Sequence, residues 1–128
     1  MELRELLSGE VITIGHDGTV AEGAAEMLRE GVGSLAVIAD NEIYGIFTER
    51  DVVRCVAAGY DSVASPVGEW MTPYPDSFSP DMDVNEAADW MLAVGYRHLP
   101  VVENGRLIGM TSIKDILWAL TEVAEKVS

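Results

Sequence analysis

Apolar positions recur along the chain with two different periods. Val20, Ala24, Met27, Leu28 and Gly31 fall on one stripe, at spacings of four, seven, eight and eleven, which predicts an amphipathic helix. The stripe returns as Val84, Ala88, Met91, Leu92 and Gly95. Thr19 with Glu22, and Asp83 with Glu86, read as capping boxes that start these helices. Gly31 and Gly95 suit the left-handed residue that ends them. Elsewhere the apolar runs are short and continuous. Val11–Ile14 reads as a β-branched strand. Leu35–Ala39 and Ile43–Phe47 read as strands joined by the turn Asp40-Asn41-Glu42, and Leu99–Val102 and Leu107–Met110 as strands joined across Glu103–Arg106. Both pairs are apolar on both faces, so each is expected to be covered by helices on one side and by its partner repeat on the other. A last helix carries Val52, Val53 and Val56 in one copy and Ile116, Leu117 and Leu120 in the other. The stretch from Gly59 to about Glu69 has no periodic signal and reads as a linker.

These elements are one unit written twice. At an offset of 64 residues the 128-residue chain aligns with itself without a gap. Thr19-Val20-Ala21-Glu22 falls on Asp83-Val84-Asn85-Glu86, and the segment Gly45–Asp51 falls on Gly109–Asp115. Such a period decides the architecture. It predicts an α/β (α+β) chain of two β-α-β-β-α repeats packed by pseudo-two-fold symmetry. Repeat 1 spans 1–64, with a core over about 8–58, and repeat 2 spans 65–128, with a core over about 70–124. A unit of about 60 residues is marginal alone, so the copies are expected to share a core.

Composition narrows the function. Eight Lys and Arg face 22 Asp and Glu, a formal net charge of -14. That disfavours nucleic acid, which needs a basic stripe, and an anionic membrane surface. A single cysteine, Cys55, excludes an internal disulfide and a cysteine metal cluster. No signal-like start and no apolar run near the roughly 20 residues of a membrane span occur, so a cytoplasmic location is expected. No nucleophile elbow, Walker loop, zinc motif or dinucleotide fingerprint occurs either, which disfavours an enzyme.

Candidate chemistry lies where each repeat hands a strand over to a helix, at Thr48-Glu49-Arg50-Asp51 and Ser112-Ile113-Lys114-Asp115. A helix start offers unpaired N–H groups and the positive end of its dipole. The hydroxyl can donate to a phosphate oxygen, and the Asp one turn on can accept both hydroxyls of a ribose. The same pairs also suit simple helix caps, and the tetrapeptides alone leave both readings open. Arg50 and Lys114 favour an anionic ligand, because each puts a cation in a first helical turn, where the dipole disfavours it. Arg97-His98-Leu99-Pro100 opens a strand of the second copy. Pro100 suits an edge or rim, and Arg97 and His98 are expected to face the same mouth as Ser112 and Lys114. The first copy has Gly33-Ser34-Leu35-Ala36 here, so the two clefts are expected to differ.

Together these residues resemble a tandem pair of cystathionine β-synthase (CBS) domains, a Bateman module, over almost the whole chain. The carriers are Gly45–Val53, Trp70-Met71-Thr72-Pro73, Arg97–Val102 and Gly109–Leu117. The resemblance implies clefts between the copies that bind an adenosine-containing ligand (AMP, ADP, ATP or S-adenosylmethionine), with no required cofactor. It assigns phosphate contacts to Thr48 and Ser112, the ribose to Asp51 and Asp115, and further phosphate contacts to Arg97 and His98 ahead of Pro100. It also implies a homodimer and an effector protein in trans. Ala36 stands where the family often has Pro, which implies a weaker or empty first cleft. A ligand-free structural dimerisation module is the alternative.

Overall fold

The computed structural model describes residues 1–7, 11–40 and 42–127, with side chains described through residue 122. The chain divides into two compact units, Val11–Pro75 and Met1–Glu10 with Asp76–Ser128. Parts of the two expected cores, residues 8–10 and the side chains after 122, lie outside the described residues.

In the unit Val11–Pro75, β1 (Thr13–Gly15) leads to α1 (Val20–Glu30), β2 (Ser34–Ala39), β3 (Glu42–Thr48), α2 (Glu49–Ala57) and β4 (Thr72–Pro73). The sheet order is β1-β2-β3-β4, with β1 parallel to β2 and the other pairs antiparallel. Val20, Met27, Leu35, Val37, Phe47, Cys55 and Val67 form its core. Val67 is fully buried, so the segment read as a linker carries a 3-10 turn, Val67–Glu69, that completes this core.

The other unit holds α3 (Val84–Val94), β5 (His98–Glu103), β6 (Arg106–Ser112) and α4 (Ile113–Val127). Leu3, Phe78, Val84, Ala87, Ala88, Met91, Leu99, Val101 and Ile116 form its core. The strand expected to open this repeat shrinks to a single parallel bridge, Phe78 to Val101. Two prolines account for that. In the first copy the Ala36 and His16 N–H groups donate to Ile12 and Ile38. Pro100 and Pro80 occupy the matching positions and have no N–H to give. Only the bonds around Phe78 survive, from Phe78 to Pro100 and from Val102 to Phe78, each 2.9 Å.

Several local expectations hold. Thr19 and Glu22 form a full capping box. Asp83 caps α3 more simply, accepting the Asn85 N–H at 2.9 Å without Glu86. Gly31 and Gly95 end their helices in the left-handed region, with φ of 68° and 88°. Asp40 and Asn104 take the same left-handed turn position, both with φ of 51°. Asn41, the middle of the predicted first turn, lies outside the described residues. The apolar stripes are wider than the buried faces, however. Leu28, Leu92, Val53, Val56 and Leu117 are exposed, Leu28 by 86%.

The leading segment of each repeat packs on the unit formed by the other. The 3-10 turn Leu3–Leu6 lies 64 residues before Val67–Glu69, yet its buried Leu3 belongs to the core around Met91 and Leu99. The Leu3 and Arg4 N–H groups donate to Met82 and Pro80 at 2.9 Å, and Arg4 pairs with Asp81 and Glu103. Two glycines receive these segments. A side chain at Gly109 would collide with Leu7, just as one at Gly45 would collide with Met71. Among the described residues, no helix is long and apolar enough to cross a membrane.

Leu3 thus acts as a core residue despite its place near the start of the chain. Leu3→Ala is expected to destabilise the protein by about 2–5 kcal/mol, read by urea denaturation. An unchanged midpoint would mean that this segment does not hold the second unit together.

Candidate functional site

The two strand-to-helix corners are built alike. β2 pairs with β3 so that Ser34 lies opposite Thr48, and β5 pairs with β6 so that His98 lies opposite Ser112. The carbonyl of the residue before each strand then takes the first helical N–H: Gly33 from Glu49 at 3.2 Å, and Arg97 from Ile113 at 2.8 Å. Two residues further on, the Asp51 and Asp115 N–H groups donate to the hydroxyls of Thr48 and Ser112, at 3.3 Å and 3.0 Å. Register and capping therefore bring Arg97, His98, Ser112, Lys114 and Asp115 to one corner, and Ser34, Thr48, Arg50 and Asp51 to the other.

The carboxylates at the two corners differ. Asp51 is only 5% exposed. One of its oxygens accepts the Thr48 N–H at 2.9 Å and lies 3.2 Å from the Thr48 hydroxyl. The other accepts from Arg54 Nη1 at 3.0 Å. Asp51 and Thr48 thus form a reciprocal capping box. Asp115 is exposed, and among the described residues its carboxylate accepts no hydrogen bond. The cap reading fits the first corner fully and the second only through Ser112.

The cations differ by corner as well. Arg4, Arg29 and Arg54 are in ion pairs. Arg50, Arg97, Arg106 and Lys114 are exposed and, among the described residues, in none. Two of these four, Arg97 and Lys114, belong to the corner of Ser112 and Asp115. His98 is half-buried. Pro100 is the third residue of β5, which has β6 as its one neighbour among the described strands, so it lies on an edge as its type suggests, and it is buried there.

Arg54 and Tyr60 were not singled out in the sequence, and Trp70 only within the Trp70–Pro73 motif, yet Arg54 pairs with Asp51 and the two rings back the guanidinium. The Arg54 guanidinium lies 5.6 Å from the centre of the Trp70 ring, and Tyr60 meets that ring edge-on at 5.4 Å. The i,i+3 spacing of Asp51 and Arg54 was the available signal. Among the described residues, no group of three or more His, Cys, Asp or Glu side chains could hold a metal ion.

The two repeats match a known domain. The family model for the CBS domain fits residues 3–58 and again residues 67–122. The chain belongs to the CBS domain family. It is 39% identical over 124 residues to an uncharacterized 17.7 kDa protein of Acidianus ambivalens, covering 95% of this chain and 74% of that one. A CBS-domain containing protein of Agrobacterium tumefaciens superposes with a TM-score of 0.87 at 34% identity, covering 94% of this chain and 99% of that one. A CBS domain protein of Pyrobaculum aerophilum, complexed with AMP, superposes with a TM-score of 0.84 at 28% identity, covering 95% and 99%. The family match also restarts at residue 67, one period after residue 3, so each CBS repeat includes in its sequence the leading segment that packs on the other unit.

Because Thr48 exchanges bonds with Asp51 in both directions, Thr48→Ala is expected to lower stability by about 1 kcal/mol, and Ser112→Ala by less. Urea denaturation of the two variants checks this. A larger loss from Ser112→Ala would contradict the asymmetry of the corners.

Proposed function

We propose that this CBS pair is a regulatory small-molecule sensor that binds an adenosine-containing ligand at the Ser112–Asp115 corner. The observation that carries the reading is an exposed carboxylate whose two oxygens accept no hydrogen bond among the described residues, in the first turn of a helix and at the same corner as two cations that are in no ion pair among them. A ribose diol offers two O–H donors to such a carboxylate, and Asp115 can accept both. The Ser112 hydroxyl, Lys114 and Arg97 supply a donor and positive charge for phosphate, helped by the start of α4. His98, opposite Ser112 and just before Pro100, is the further phosphate contact. The AMP held by the relative from Pyrobaculum aerophilum supports an adenylate as the ligand class. ADP, ATP and S-adenosylmethionine share the adenosine that this corner would read.

The sensor acts as a homodimer and passes its state to an effector protein in trans. Exposed Leu28, Val53 and Val56 on α1 and α2, with Leu92, Leu117 and Trp118 on α3 and α4, provide apolar helix surface for a second copy. A ligand can shift such an assembly only by the difference in its affinity for the two states. A dimerisation module without a ligand is the second reading, favoured at the first corner by the closed Thr48–Asp51 box.

Calorimetry with AMP separates the two. AMP is expected to bind, and Asp115→Ala to weaken binding by at least about tenfold, the loss of a charged hydrogen-bond acceptor. Asp51→Ala is expected to change it little. Absence of binding for AMP, ATP and S-adenosylmethionine alike would leave only the dimerisation module, and equal losses from the two variants would show that the dominant corner is misassigned.

A further inference from the structure

The repeats differ three residues beyond the acid. Arg54 follows Asp51 at that spacing, and 64 residues later its place is taken by Trp118. Arg54 Nη1 bonds one oxygen of Asp51 while the Thr48 backbone holds the other. The guanidinium is also anchored over Trp70, which Tyr60 buttresses in turn. The position matching Trp70 is Leu6, which offers no such ring, and Trp118 has only an indole N–H and is 67% exposed.

A ribose diol at the first corner would need an acceptor site on each Asp51 oxygen: Oδ2 already accepts the Thr48 N–H and faces the Thr48 hydroxyl, and Oδ1 is engaged by the Arg54 guanidinium, which stands where a ligand hydroxyl would have to approach it. Taking the Thr48 N–H away would break the cap of α2, so Arg54 is the group that must leave. Arg54 Nη1 presents to Asp51 what a ligand hydroxyl would present, a donor pointed at a carboxylate oxygen, and it does so from the same helix without loss of translational freedom. We infer that Arg54 is a built-in competitor that closes the first repeat to ribose and holds the chain to one adenylate, at Asp115. This rests on the sensor reading above and adds the residue that sets its stoichiometry. The pair is strongest at low salt, because the Arg54 head is itself more than half exposed.

Calorimetric stoichiometry with AMP tests it. The wild-type chain is expected to bind one AMP, lost in Asp115→Asn. Arg54→Met keeps an apolar stem against Trp70 and removes the donor. It is expected to bind a second AMP, with affinity at the first corner raised about tenfold. Adding Asp51→Asn to Arg54→Met should abolish that second event. Arg54→Gln, compared at equal melting temperature, serves if the Met variant folds poorly. A single AMP in both folded Arg54 variants would overturn the inference while leaving the sensor reading intact, as would two AMP in the wild type. No AMP bound by the wild type would instead remove the sensor reading itself.

Discussion

A carboxylate has two oxygens, and what each already accepts decides whether it can hold a ligand. At the first corner, Asp51 spends one oxygen on the Thr48 N–H and the other on Arg54. At the second, Asp115 spends neither among the described residues, and only its N–H is used, on Ser112. The two repeats share a fold and a motif, yet this one difference separates a structural cap from a ligand corner. Charge reinforces it. In a chain with a net charge of -14 cations are few, and two that are in no ion pair among the described residues, Lys114 and Arg97, stand at the open acid.

That local contrast is possible because the framework around it is shared. In each unit a helix-start corner is fixed by strand register and by the carbonyl of the residue just before β2 or β5. Each unit also includes the leading segment of the other sequence repeat: Leu3 and Leu7 pack in the unit with Asp76–Ser128, and Val67 and Met71 in Val11–Pro75. Gly45 and Gly109 have no side chain because Met71 and Leu7 occupy the space where one would be. The exchange gives a physical reason for duplication, since a single repeat would lack the segment that fills its core. It also explains why the sequence period and the compact units are out of phase.

Much of this was legible in the residues. The 64-residue period, the glycine helix ends, the strand pairs and both corner motifs follow from spacing alone. Three features did not. The stripe that placed Leu28 and Leu92 inside counts apolar side chains but cannot distinguish a buried face from one left for a partner. Val67 looked like linker because a single 3-10 turn is too short to show a period. The fate of Asp51 depended on Arg54 and on Trp70, which lies well along the chain, and a motif read as a tetrapeptide ends before either. Pro100, read as suited to an edge or rim, does lie on an edge strand, and with Pro80 it removes the ladder bonds that the first copy makes through Ala36 and His16.

The most direct test is a crystal structure of the protein grown with AMP. The account predicts the ribose hydroxyls on both oxygens of Asp115, the phosphate among Ser112, Lys114 and Arg97, and Arg54 still seated on Asp51. Ribose density on Asp51 with Arg54 swung away, and an empty corner at Asp115, would contradict it.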